Sequence, residues 1–535
     1  MDDLRQVLTL AALTGPVPKA GVIAVTLLAA AALVLGARRQ RAAAMLAALV
    51  LSPVLLAAEV WHSPQLQTLH RHAALAAVAL LLVGVLVVAG ATVIGAHRGW
   101  AALLAVAALP FRVPIQAGGR SANLLVPLYI VVAAATLAWI WDALGKSDPA
   151  DARHSPQGRA SPGRSGNRRS PGALERAVSR LLALYLVLYG VQATYSAGFE
   201  TALQNVVFFY VPFALLYCVL REVPWSARLL RDCLLVTVAL ALAFSLLGFY
   251  EYATRTIILN SRLALSNELH TYFTVNSVFF DPDIFGRYLA LTMILVSVWL
   301  IYDRAPGQQG LAAAALAVLW ACLVLTLSRS SLGALLLGMG VLAALRYRPG
   351  RALVAAVAVV VAGGIAVAVS PKTFGLNQGI NGASSGRGGL VSGGLDLFAQ
   401  RPLLGWGSGS FVTEYRRHDP HRFTALSASH TIPITVAAEQ GLIGEAAYAA
   451  FVAAAIALLV KGARGDPVRS AVAAAFIALV FHTLLYADFL EDPTTWTLLA
   501  VGVSLAAAPI ATPASPSGRR ALSRLPGASA APGGS

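Results

Sequence analysis

Apolar runs separated by short polar gaps recur along almost the whole chain. About fifteen of them reach the roughly 20 residues needed to cross about 30 Å of hydrocarbon. They centre near Val25, Leu49, Val83, Ala105, Val131, Leu186, Ala214, Leu240, Leu295, Val318, Leu337, Val361, Ala454, Leu479 and Val503. With no water inside a bilayer, each run must satisfy its own backbone polar groups, which a helix does and an isolated strand does not. The pattern predicts an all-α fold, a polytopic membrane bundle of about 12–15 transmembrane helices. The first run has the look of a retained span, because the basic start and small-residue cleavage site of a signal peptide are missing.

Two stretches break the rhythm. Residues 142–176 are basic and rich in proline and serine, too polar to support a core, and read as a disordered linker between N-terminal transmembrane helices (1–141) and a second membrane domain (177–510). Residues 371–430 are glycine-rich and polar and read as the one large extracytoplasmic loop. Residues 511–535 read as a disordered tail.

Composition agrees: 58% hydrophobic and 12% charged residues leave too few charges to clothe a soluble protein of 535 residues. The net charge of +16 suggests nucleic acid at first sight, but its distribution argues against that. Arginine and lysine cluster at every second gap, as at Arg38, Arg39 and Arg41, at Arg221, Arg228 and Arg231, at Arg346, Arg348 and Arg351, and at Lys461, Arg464 and Arg469. This is the positive-inside pattern, which puts these gaps and the C-terminus in the cytoplasm and the 371–430 loop outside. The three cysteines lie in or beside apolar runs with no metal-like spacing and read as small core residues.

Candidate chemistry gathers on the outward side. Arg329, in LTLSRSSLGALL, sits at an outward junction, against the inside bias, among three serines. A cation near hydrocarbon needs a partner or a wet cavity, so ligand binding and plain snorkelling both fit it. Arg287 and Arg387 lie on the same side, with further arginines in the loop; arginine binds phosphate bidentately and keeps its charge. Such a cluster suits a diphosphate leaving group on a lipid. His430, where the loop re-enters the membrane, has a side chain suited to general-base work at neutral pH, although a structural role is equally open; Glu439 follows a few turns later. Asp281 and Asp283 form a D-x-D, and the Asp281-Pro282 and Asp492-Pro493 pairs read as helix starts rather than metal ligands. His418, Asp419 and His421 lack any further spacing that supports zinc.

The run SGRGGLVSGGLDLFAQRPLLGWGSGSF followed by SHTIPITVAAEQGLIGEAAY, together with VNSVFFDPDIFGRYLAL, LTLSRSSLGALL and FHTLLYADFLEDPTTWTLL, resembles the O-antigen ligase and polymerase family of bacterial membrane glycosyltransferases. The resemblance spans about residues 275–499. It implies a GT-C-like fold and inverting transfer without metal or other cofactor, on the outer face of the cytoplasmic membrane. The donor would be an undecaprenyl-diphosphate-linked glycan, and the acceptor a glycan chain, lipid or protein. By position, His430 is similar to the family's general base, Arg329 and Arg387 to its donor-binding arginines, and Glu439 to its acidic residue before a G-L-I-G turn, which makes Glu439 the second catalytic candidate, orienting the site; Arg287 is a further donor-binding candidate. Gly405 and Gly407 match loop glycines that let backbones approach closely. From another class, a secondary transporter or flippase for an anionic lipid or solute is the alternative, although few charges lie inside the spans and no repeat is evident.

Overall fold

The structure, a computed structural model, describes residues 15–60, 73–117, 120–145, 172–269, 272–302, 306–347, 350, 387–418 and 430–507. Among these, eleven helices are long and apolar enough to cross a membrane. In chain order the N-terminal helices are α1 (Pro16–Val34), α2 (Arg38–Val60), α3 (Ala73–Ala96), α4 (Gly99–Ala108) and α5 (Val126–Gly145). Then come α6 (Ala173–Ala193), α7 (Phe199–Asn205), α8 (Val211–Leu220), α9 (Ala227–Thr254) and the short α10 (Ser261–Leu269). The remainder are α11 (Pro282–Tyr302), α12 (Pro306–Leu325), α13 (Arg329–Arg346), α14 (Arg387–Gln400), α15 (Phe411–His418), α16 (Ile432–Val460), α17 (Pro467–Leu485) and α18 (Pro493–Ala507).

Three expectations change in detail. The run near Ala105 gives only the ten-residue α4, because Pro110 cannot continue a helix. The chain then forms the one hairpin of the described residues, β1 (Val113–Ala117) paired antiparallel with β2 (Arg120–Leu124), in an otherwise helical fold. Within the stretch read as a loop, the described part is two helices, α14 and α15, and the turn between them. The run near Val361, the bulk of the 142–176 linker, the 511–535 tail and the rest of the loop lie outside the described residues.

Small side chains set the packing where helices meet. At Gly190 on α6 an added Cβ would stand 2.2 Å from Thr26 Oγ1 on α1, and at Gly338 on α13 it would stand 2.3 Å from Ile294 on α11. Close approach replaces the hydrophobic drive that lipid removes between apolar helices.

Charges collect at the two ends of the bundle. One end is basic, and its charges are partly neutralised: Arg38 and Arg98 pair with Asp142, and Arg41 pairs with Glu222, which also accepts a 2.9 Å bond from Trp139 Nε1. The opposite end holds the starts of α11, α13, α16 and α18 and the end of α17, and there the candidate residues meet.

Candidate functional site at the polar end of the bundle

The motif AEQGLIG turns out to be a broken helix. At Gly441 the backbone has φ 65° and ψ −165°, a conformation essentially reserved for glycine, and α16 is interrupted there. The groups freed by the break are taken up by the PLLGWGSG turn. Trp406 N donates to Ala438 O (3.1 Å), Gly407 N to Glu439 O (2.7 Å), and Leu442 N to Pro402 O (2.7 Å). Gln192 Nε2, from the end of α6, donates to Gln440 O at 3.0 Å. The two motifs are therefore halves of one joint.

Glu439 locks that joint. Its carboxylate accepts from Gly409 N (2.7 Å) and Phe411 N (3.0 Å), so a buried acid caps α15 and fixes the glycine turn. Its bonds thus hold the chain's own backbone. Gly405, at φ 67°, lies so close that a Cβ would fall 2.3 Å from the Glu439 carbonyl, which accounts for the close packing expected of it. Gly441→Ala puts a side chain into a glycine-only conformation, 2.4 Å from Leu403 backbone atoms. It is expected to lower stability by about 1–3 kcal/mol. It should also release the 402–409 turn, read as faster proteolysis there than in native protein.

His430, one residue before the Thr431 N-cap of α16, is in a left-handed conformation (φ 58°), uncommon for a residue other than glycine. Its ring centroid is 5.6 Å from that of Tyr486, in the α17–α18 connection, and Tyr486 is 5.7 Å from His482 on α17. Tyr486 also hydrogen-bonds Asp281. Beneath this layer His482 Nε2 lies 3.2 Å from Ser330 Oγ and 3.1 Å from Ser331 Oγ, and Ser330 Oγ donates to Asp283 at 3.0 Å. Ser328, which caps α13, also donates to Asp283. The serines of LSRSS thus form one buried hydrogen-bonded network with α11 and α17.

The other expected residues are placed unequally. Arg287 is buried, ion-paired with Asp492 at 2.8 Å, and donates to Asp488 O at 3.2 Å, with its guanidinium 6.0 Å from the Tyr486 ring centre. It sits under the site as a tie between α11 and the α17–α18 turn. Arg329 is exposed on the first turn of α13, where the helix dipole disfavours a cation, so helix stability does not explain it. Arg387 opens α14, and its side chain lies outside the described residues.

Both Asp-Pro pairs are helix starts: Asp281 Oδ1 accepts from Asp283 N (2.7 Å) and Asp492 Oδ1 from Thr494 N (2.8 Å). His418 Nδ1 lies 2.8 Å from Glu414 O, whereas Asp419 and His421 lie outside the described residues. Among the described residues no three His, Cys, Asp or Glu side chains are grouped to hold a metal ion.

A cavity of about 210 Å³ has Ile432 and Glu439, from the first half of α16, in its wall. Tyr185, Tyr189, Tyr210 and Tyr448 line it together with Glu491 and Asp488. Tyr210 is brought there by a wide π turn, Val206–Tyr210, just ahead of Pro212, which has no N–H to continue the ordinary ladder. Tyr210 Oη donates to Glu491 at 2.7 Å. Enclosure, then the nearby Asp488, pushes the Glu491 carboxyl up to about 7; enclosure, then Asp283, pushes Asp281 up to about 6.

A carboxyl raised on folding favours the folded state only while protonated. Stability from Glu491 is therefore present below its unfolded value near 4.3 and is lost as pH rises through about 7. Melting temperature is expected to fall from pH 5 to pH 8, and Glu491→Gln to flatten that slope; an unchanged slope would remove Glu491 as its source.

The His482, Tyr486 and Glu491 cluster is absent from the residues singled out by sequence, although FHTLLYADFLED carries a signal: His482 and Tyr486 are four apart, and three carboxylates crowd one turn.

The fold and its polar end define a multi-pass membrane protein with a buried network of titratable groups at one membrane face. Residues 314–449, roughly a quarter of the chain, match the family model described as O-antigen ligase. The matched segment contains Arg329, Arg387, His430, Glu439 and both halves of the joint at Gly441, so the family resemblance seen in the motifs holds over this region. No curated protein matches the chain.

Proposed function

We propose that this protein is a membrane glycosyltransferase that moves a glycan from an undecaprenyl-diphosphate carrier to an acceptor hydroxyl at the outer face of the bacterial cytoplasmic membrane, acting as a ligase or polymerase. The observation that carries this reading is the placement of His430. It stands in a left-handed turn just ahead of α16, against Tyr486, at the bundle end where Arg329 lies, inside the family-matched segment.

In the reaction, the acceptor oxygen attacks the anomeric carbon as the bond from that carbon to the diphosphate oxygen breaks. His430 takes the acceptor proton, and the anomeric configuration inverts in a single displacement. Negative charge builds on the departing polyprenyl diphosphate, where Arg329 and Arg387 stabilise it without needing a metal. Arg287 serves the same end indirectly, by holding the turn that carries Tyr486. The cavity walled by the first half of α16 suits a sugar: tyrosine rings offer faces for the C–H side of the ring, and Glu491 and Asp488 accept from its hydroxyls.

A broken helix also occurs in transporters, where it exposes carbonyls to an ion. Here the carbonyls of Ala438, Glu439 and Gln440 all accept hydrogen bonds from the chain itself, which favours a fixed scaffold over a transport site.

The test supplies a labelled undecaprenyl-diphosphate oligosaccharide and candidate acceptors to membranes containing the protein. Release of the diphospholipid with a ladder of products marks a polymerase, and a single shifted acceptor marks a ligase. Movement of intact donor or solute across the membrane with no bond broken would replace this proposal with the transporter.

A further inference from the structure

A second cavity, of about 440 Å³, runs between the helices from Tyr288 and Thr494, on the side of the polar end, to Tyr302 and Pro467 at the basic end. Its walls come from α4, α9, α11, α17 and α18 and are almost wholly apolar, with Leu234, Leu295, Trp299 and Val501 typical of them. On α11 the lining runs from Tyr288 to Tyr302. At 1.5 Å per residue that is about 21 Å, long enough for one extended acyl chain within a core of about 30 Å.

The mouth differs from the walls. At the basic end the slot closes on Trp225 and Tyr302, amphipathic rings of the kind that sit at headgroup level. Two arginines flank them. Arg231 lines the slot, and the Arg346 guanidinium lies 5.0 Å from the Tyr302 ring centre. Both are exposed, and neither has an acidic partner among the described residues; nearby Asp232 pairs with Arg228 instead. An apolar slot ending in an aromatic rim, with two exposed cations that have no acidic partner among the described residues, matches one ligand chemistry, an acyl chain joined to a phosphate.

We propose that this slot holds one anionic phospholipid from the membrane leaflet at the basic end, its acyl chain along α11 and its phosphate on Arg231 and Arg346. Each arginine near a headgroup contributes on the order of 1 kcal/mol toward anionic lipid, so removing both should weaken retention about 30-fold. The proposal depends on the protein crossing a membrane, and the transferase reading does not bear on it.

Native mass spectrometry of the full chain, purified in mild detergent and exchanged into vesicles of phosphatidylglycerol or phosphatidylcholine, tests it. The expected result is one phosphatidylglycerol retained per chain in preference to phosphatidylcholine. Arg231→Ala with Arg346→Ala should abolish the preference, and because both side chains are exposed the variant should fold. Ala471→Trp, which fills the slot from α17, should expel the lipid altogether. No retained lipid, equal retention of the two lipids by native protein, or a polyprenyl phosphate retained in place of phosphatidylglycerol would each overturn the assignment.

Discussion

Replacing His430 with alanine is expected to lower glycan transfer by about 10²–10⁴-fold, the usual contribution of a positioned general base, while the melting temperature stays close to native. Alanine also disturbs a left-handed turn (φ 58°), so the backbone must be controlled for. His430→Gly fits that turn without strain and His430→Asn tolerates it, yet neither takes a proton near neutral pH. All three variants should lose transfer alike. An asparagine variant with native turnover would show that the residue serves the turn and not the chemistry. Because Tyr486 packs against the imidazole, Tyr486→Phe keeps that packing and removes only the hydroxyl bonded to Asp281. It is expected to act through orientation of the site, with a smaller loss than any His430 variant.

Arg287→Ala is the second large effect, and it falls on stability. The substitution leaves Asp492 buried beside an empty site and frees the carbonyls of the α17–α18 turn. Breaking a buried pair from one side typically costs about 3–5 kcal/mol. A clear drop in melting temperature is expected, and transfer should fail because the turn bearing Tyr486 and Glu491 is no longer held. Arg287→Met with Asp492→Leu removes both charges and should recover much of the loss, less the cap that Asp492 gives α18. A variant that melts like native protein but binds donor weakly would return Arg287 to the diphosphate role expected from its position in the sequence. Arg329→Ala makes the comparison: it is exposed, so donor binding should weaken with little change in melting.

The amino-acid sequence by itself determined that this is a multi-pass helical membrane protein, because apolar length and the spacing of arginines are local properties that a bilayer reads directly. It also marked His430, Glu439, Arg329 and the glycines of both motifs, since these belong to short, ordered patterns. It gave Arg287 and Arg329, two arginines at the same membrane face, the same donor-binding role. Only the fold decided that one is buried against Asp492, 205 positions along the chain, and the other exposed. Glu439 was legible as an acid ahead of a turn, but its capping of α15 depends on the break at Gly441, where backbone bonds lost within a helix are replaced from residues 402–407. The His482, Tyr486 and Glu491 cluster was not legible for the same reason. The three share the stretch FHTLLYADFLED, but their partners Ser330, Asp281 and Tyr210 come from distant segments, and the shared chemistry arises only when packing removes water and brings these groups within hydrogen-bond reach.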